Sequence, residues 1–165
     1  ADRLITECGP ILIVDADEGF RAFASHLFDR AGFASEQAVN GDDAMAAVRR
    51  AHPCLVLLDV LLSDVSGFEI ASELRDEFGD DLPIIFISGE RTQPLDRAAG
   101  LLVGGDDYVV KPADPDELLA RVRRLISRSR RGIPSLSYIF KISGSTSSRL
   151  FSSFFFLGAL DSDGS

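Results

Sequence analysis

The sequence predicts an α/β domain, a parallel sheet doubly wound so that helices cover both faces. Three observations carry this. Four short apolar runs, at residues 11–14, 55–58, 84–87 and 108–110, lead directly into a polar side chain: Asp15, Asp59, Ser88 and Lys111. The runs lack polar alternation, as strands covered on both faces do. Between them lie helix-length segments with apolar residues at helical spacing. Sheets of this architecture bind ligands at the carboxyl ends of their strands. A carboxylate cluster, a hydroxyl and an ammonium are therefore expected to meet at one edge.

The elements follow in order. After the first run, Phe20, Phe23, Ala24, Leu27 and Phe28 form a helical stripe, and Gly32 supplies a C-terminal stop. Residues 33–39 read as a weak second strand, and residues 42–51 as a helix stopped by His52-Pro53. Residues 54–58 are a continuous apolar strand. Residues 67–78 are an amphipathic helix with Phe68, Ala71, Leu74 and Phe78 on one stripe. Residues 82–87 give a fourth strand, 95–102 a short helix, and 108–110 a fifth strand. Residues 114–130 form a last helix, opened by Asp114 as cap and Pro115 in the first turn. Five β/α units of this length make one domain, with right-handed crossovers.

A chain of 165 residues is long enough for one well-packed core. Its formal charge of −9 argues against nucleic-acid binding by this chain, because phosphate neutralisation needs clustered Lys and Arg. The arginines between Arg121 and Arg131 are the one basic cluster. They lie at the end of the last helix, where cations complement the helix dipole. Cys8 and Cys54 have no metal-like spacing and no secretory signal precedes them, so a reduced, cytoplasmic setting is expected.

The expected organisation is a lead-in at 1–10, the domain at 11–131, and a Ser- and Phe-rich tail at 132–165 that is disordered or docked on a partner. The apolar run at 151–157 is interrupted by Ser152 and Ser153 and is too short to span a bilayer, which takes roughly 20 apolar residues. No membrane association is expected. A sharper expectation for the tail is that residues 136–142 pair as a strand with another chain and support a dimer.

The set of strand ends permits phosphoryl chemistry. A carboxylate such as Asp59 can attack phosphorus and form an acyl phosphate if neighbouring cations neutralise the charge. A divalent ion such as Mg²⁺ would be held by Asp59, by acids near Asp15 and by a backbone carbonyl just after Asp59, with waters completing an octahedron. Lys111 would add a point charge, and the Ser88 hydroxyl would donate to a phosphoryl oxygen. Taken singly, an Asp after a strand is more often a cap or loop acid, and a lone Ser or Lys says little. The ordered set of four is what turns the reading toward function.

These residues resemble the receiver domain of two-component response regulators. The resemblance rests on Ile11-Leu-Ile-Val-Asp15, Leu55-Val-Leu-Leu-Asp59, Asp64-Val-Ser-Gly67, Ile84-Ile-Phe-Ile-Ser88 and Tyr108-Val-Val-Lys111-Pro112, in order, and it covers residues 11–130. It implies a flavodoxin-like (βα)5 fold with strand order 2-1-3-4-5 and a C-terminal extension. It further implies phosphorylation of Asp59 by a histidine kinase, phosphotransfer protein or small donor, Mg²⁺ as cofactor, and slow self-dephosphorylation, in a signalling domain and not an enzyme. By the same resemblance Asp59 is the phosphoacceptor, Ser88 the switch hydroxyl, Lys111 the phosphoryl-binding lysine, and Tyr108 the aromatic whose rotamer follows Ser88. Leu61 offers the metal-binding carbonyl, and the Lys111-Pro112 bond is expected to be cis. The implied output surface is the face made by the fourth helix, fifth strand and fifth helix, through which a homodimer is also expected, as through the tail.

Three positions depart from that pattern. Ala16 stands where the family has a second acid that binds the metal directly, and Asp17, two residues after Asp15 and on the same side of an extended backbone, is the expected substitute. Ser63 replaces a usual proline, and Gly89 a usual alanine. Two rival readings remain. In a haloacid-dehalogenase-type phosphatase Asp15 would be the nucleophile and Asp17 the acid, but Lys111 follows Asp106-Asp107 where that family's lysine precedes its acidic pair. The other rival, prompted by Ala16, is a receiver-like interaction module that works without phosphate.

Overall fold

The computed structural model describes residues 8–89 and 94–131. The expectations for the tail at 132–165 lie outside the described residues, as does most of the lead-in. The elements run β1 (Ile11–Val14), α1 (Glu18–Arg30), β2 (Ser35–Ala38), α2 (Gly41–Ala51), β3 (Leu55–Asp59), α3 (Gly67–Phe78), a 3-10 turn (Gly79–Asp81), β4 (Ile84–Ser88), α4 (Pro94–Val103), β5 (Asp107–Val110) and α5 (Pro115–Arg131). The strands form one sheet in the order β2-β1-β3-β4-β5. Every neighbouring pair is parallel, with Ile11 opposite both Ser35 and Leu55, Asp59 opposite Ile87, and Ser88 opposite Val110. Both the α/β class and the 2-1-3-4-5 order are therefore as expected.

Side-chain alternation along each strand divides the core into two layers. Leu12, Val14, Val56, Leu58, Ile84, Phe86 and Tyr108 pack with residues of α2 and α3, including Met45, Val48, Ile70, Leu74 and Phe78. Ile11, Ile13, Leu55, Leu57, Ile85, Ile87 and Val109 pack on the other face with Phe20, Ala24 and Phe28 of α1 and Leu118, Val122 and Leu125 of α5. Each buried Val, Leu, Ile, Phe or Met among them contributes about 1.5–3 kcal/mol by leaving water. The central strands are apolar throughout because both of their faces are covered.

The helix boundaries have local causes. Ala31 caps α1 and Gly32 follows at φ 88°, the left-handed turn that glycine adopts without a Cβ clash. His52 ends α2 at φ 49° ahead of Pro53. Asp114 Oδ1 accepts from Glu117 N at 2.9 Å and so caps α5. The second strand is shorter than the 33–39 segment expected to form it: it spans Ser35–Ala38, while Phe33 is buried just ahead of it. It pairs only with β1 at the sheet edge, so three of its four residues stay partly or fully exposed.

Candidate functional site

Because all five strands are parallel, their carboxyl ends share one edge, and four of the sequence-predicted residues lie there. Asp59 closes β3, Ser88 closes β4, Asp15 follows β1 and Lys111 follows β5. Asp15, Asp59 and Ser88 are the buried polar residues of the described chain, at 0%, 7% and 1% exposure. Lys111 Nζ lies 2.5 Å from Asp15 Oδ2 and 3.5 Å from Asp59 Oδ2. Backbone amides hold the other carboxylate oxygens: Asp17 N donates to Asp15 Oδ1 at 2.8 Å, and Leu61 N donates to Asp59 Oδ1 at 3.0 Å. The Lys111-Pro112 bond is cis, and Lys111 N donates to the Ser88 carbonyl at 2.8 Å.

The two carboxylates give the site an excess of negative charge. Burial pushes the Asp59 carboxyl up to about 6, with the Asp15 charge adding to the rise, while the Leu61 amide and Lys111 pull against it. One lysine does not neutralise both acids, so the pocket favours a further cation. Two carboxylates and a backbone carbonyl suit a hydrated Mg²⁺, which is commonly bound by one or two carboxylates and several waters.

Asp17 does not complete a third acidic position. Its exposed carboxylate accepts from Gly19 N at 2.9 Å and caps α1. Among the described residues no three Asp, Glu, His or Cys side chains gather into a metal-ligand cluster. In this structure the Asp17 carboxylate caps α1, because the backbone turns into the helix where an extended chain would place it beside Asp15.

Tyr108, the aromatic expected to follow Ser88, has its ring buried in this structure. It is 4% exposed, with its ring 6.4 Å from that of Phe86. The space comes from glycine. A Cβ at Gly100 on α4 would lie 3.0 Å from Phe68, 3.2 Å from Phe86 and 3.4 Å from Tyr108, so α4 sits close over these rings.

Two residues read only as parts of a helix also belong to the site. Phe20 places its ring 4.5 Å under Lys111 Nζ, a cation–π contact that steadies the ammonium between the carboxylates. Arg21 donates through Nη1 to the carbonyls of Asp15 at 2.8 Å and Ala16 at 3.1 Å, and through Nε to Gln37 at 3.2 Å. It holds the β1–α1 loop in shape. Phe20 was visible only as a core position and Arg21 only as a polar residue between core positions.

Residues 11–123 match the response regulator receiver domain family. The chain is 38% identical over 122 residues to the "DNA-binding dual master transcriptional regulator RpaA" of Synechocystis sp., covering 73% of this chain and 50% of that protein. It is 38% identical over 120 residues to "Response regulator MprA" of Mycobacterium leprae, covering 73% of this chain and 52% of that one. Among solved structures, Vibrio cholerae chemotaxis protein CheY4 is similar with a TM-score of 0.67 and 29% identity, over 72% of this chain and 98% of that chain. The chain spans about half the length of the curated relatives it matches. No helix among the described residues is long and apolar enough to cross a membrane. The phosphatase reading on Asp15 gives way to this match, and with the five-stranded order, the edge cluster and the sequence similarity together, the chain belongs to the response regulator receiver domain family.

Proposed function

We propose that this receiver accepts a phosphoryl group on Asp59 from a histidine kinase or phosphotransfer protein and passes the change to a partner through its α4-β5-α5 face. The observation that carries the reading is the state of Asp59. One of its oxygens is pinned by the Leu61 amide while the other faces Lys111 Nζ at 3.5 Å, in a pocket that raises its carboxyl to about 6. At neutral pH it is mostly ionised and nucleophilic.

In the transfer, an Asp59 carboxylate oxygen forms the O–P bond as the donor's N–P bond breaks, and the departing nitrogen recovers its electron pair and takes a proton. Lys111 moves its contact from carboxylate to phosphoryl oxygen, kept in line by Asp15 and Phe20. Ser88, at the end of the neighbouring strand, donates its hydroxyl to another phosphoryl oxygen. Asp15, Asp59 and the Leu61 carbonyl would hold Mg²⁺, which when bound neutralises charge developing on the phosphoryl oxygens. With Tyr108 already inside, phosphorylation acts by holding Ser88 and the α4-β5-α5 face in one arrangement, a population shift that a few kcal/mol of differential interaction achieves. The domain is a phosphoacceptor, with self-phosphorylation from small donors and autodephosphorylation as its only chemistry.

The test is intact-mass analysis after incubation with phosphoramidate, with and without Mg²⁺, on the parent protein and on Asp59→Asn. A Mg²⁺-dependent gain of one phosphoryl group that vanishes in Asp59→Asn is the expected result. No gain in a folded parent would sink the reading and favour a phosphate-independent interaction module, the alternative prompted by Ala16.

A further inference from the structure

The loop between Asp59 and α3 is fastened at a point remote from the reacting atoms. Asp64 lies in that loop, and its carboxylate reaches the N-terminus of α2, 23 residues earlier in the chain. Oδ1 accepts from Gly41 N at 2.9 Å, and Oδ2 accepts from Gly41 N at 3.0 Å and Asp42 N at 3.2 Å. Oδ1 also accepts from Val65 N within its own loop at 3.0 Å. The helix already has a cap of its own, since Asn40 Oδ1 accepts from Asp43 N at 2.8 Å. Asp64 is thus a second cap supplied from another loop, and its amide partners lie in an electropositive helix end.

Gly41 makes the approach close. A Cβ there would lie 2.6 Å from Val65 Cγ2, 2.8 Å from Ile70 Cδ1 and 3.2 Å from Asp64 Oδ2. The loop base is closed equally tightly: Gly67 N donates to the Val60 carbonyl at 2.8 Å, and Leu61 bridges to Ser66. Leu61, at the join of that base with the loop that Asp64 ties, donates its amide to Asp59 Oδ1.

We propose that Asp64 is a positioning residue for the acceptor site: by tying the loop tip to α2 it fixes the Leu61 peptide, and hence the orientation of the Asp59 carboxylate and of the Leu61 carbonyl beside it. The inference rests on the reading of Asp59 as phosphoacceptor and Leu61 as the carbonyl donor to Mg²⁺. It adds a residue that touches neither phosphoryl group nor metal.

Asn40 supplies the control, because Asn40→Ala removes a cap from the same helix without touching the loop. Asp64→Ala and Asp64→Asn are compared with it by two readouts on the full chain. The first is amide hydrogen exchange at Leu61 in the unphosphorylated protein. The second is the Mg²⁺ concentration for half-maximal phosphorylation by phosphoramidate. Asp64→Ala is expected to speed Leu61 exchange and raise the half-maximal Mg²⁺ about tenfold, the lower end of what loss of a metal's supporting shell costs. Asp64→Asn, which retains one acceptor oxygen, should fall between, and Asn40→Ala should leave both readouts at parent values. Unchanged Leu61 exchange in Asp64→Ala, or equal shifts in Asn40→Ala, would overturn the proposal. Faster Leu61 exchange in a parent background that takes up no phosphoryl group would uphold the fastening and discard the acceptor reading instead.

Discussion

Asp59→Asn should stabilise this domain at alkaline pH in chelator-treated buffer and do so progressively less as pH falls. The carboxyl is raised from 3.8 to about 6, chiefly by burial and then, after the opposing Leu61 amide, by the Asp15 charge. A raised acid favours its neutral form in the folded state. Its contribution to stability is complete below the unfolded value and is lost as pH rises through the folded one. Proton linkage between 3.8 and about 6 gives about 3 kcal/mol in all, of which a little under half accrues between pH 5 and pH 8. The amide is isosteric and neutral, keeps an acceptor for Leu61 N, and gives up a Lys111 contact that is already 3.5 Å long. The assay is urea unfolding followed by far-ultraviolet circular dichroism on both proteins at the two pH values. The advantage of Asp59→Asn should be larger by about 1 kcal/mol at pH 8 than at pH 5. A pH-independent difference, or a variant that loses stability toward pH 8, would refute the account of Asp59 as a carboxylate ionised against its surroundings.

Further predictions concern the packing that supports the α4-β5-α5 face. Arg75 is a largely buried guanidinium, its side chain 11% exposed, that donates to the carbonyls of Gly79, Leu82 and Gly104 and to Asp106 Oδ2. Arg75→Ala should cost about 1–3 kcal/mol in urea unfolding, since it leaves several carbonyls without their donor while Asp106 keeps the Ile84 amide, and Arg75→Lys should recover only a minor part because a point charge cannot reproduce the fork. A loss below about 1 kcal/mol would mean solvent replaces these bonds. Gly105→Ala would bring a Cβ to 2.4 Å from Phe86 Cε2, and overpacking of about 1–3 kcal/mol should appear as a lowered thermal midpoint. Ser88→Ala should still gain a phosphoryl group in the mass assay but show a smaller change in amide exchange across α4, β5 and α5. A normal change there would disconnect Ser88 from the output.

The sheet was legible because its central strands are covered twice. Continuous runs such as 55–58 and 84–87 have no other stable environment in a small domain, and their order along the chain with helical segments between them leaves one economical topology. Asp15, Asp59, Ser88 and Lys111 were legible for the same reason, since a residue immediately after a parallel strand must lie at the carboxyl edge. The edge strand β2 was less so: one neighbour suffices for it, and Ser35, Glu36 and Gln37 carry little apolar signal. What the tertiary structure alone decided are relations between segments distant in sequence or set by backbone direction. Asp17 read from the sequence as a partner of Asp15, and the start of α1 turns its carboxylate onto Gly19 N. Phe20 under Lys111, Arg21 on two loop carbonyls, Asp64 on α2 and Arg75 across two loops all depend on how helices cross the sheet. Local propensity and periodicity encode which face of a helix is buried; they do not encode the angle and offset at which that face meets its neighbour, and hydrogen bonds a few ångströms long are decided by that offset.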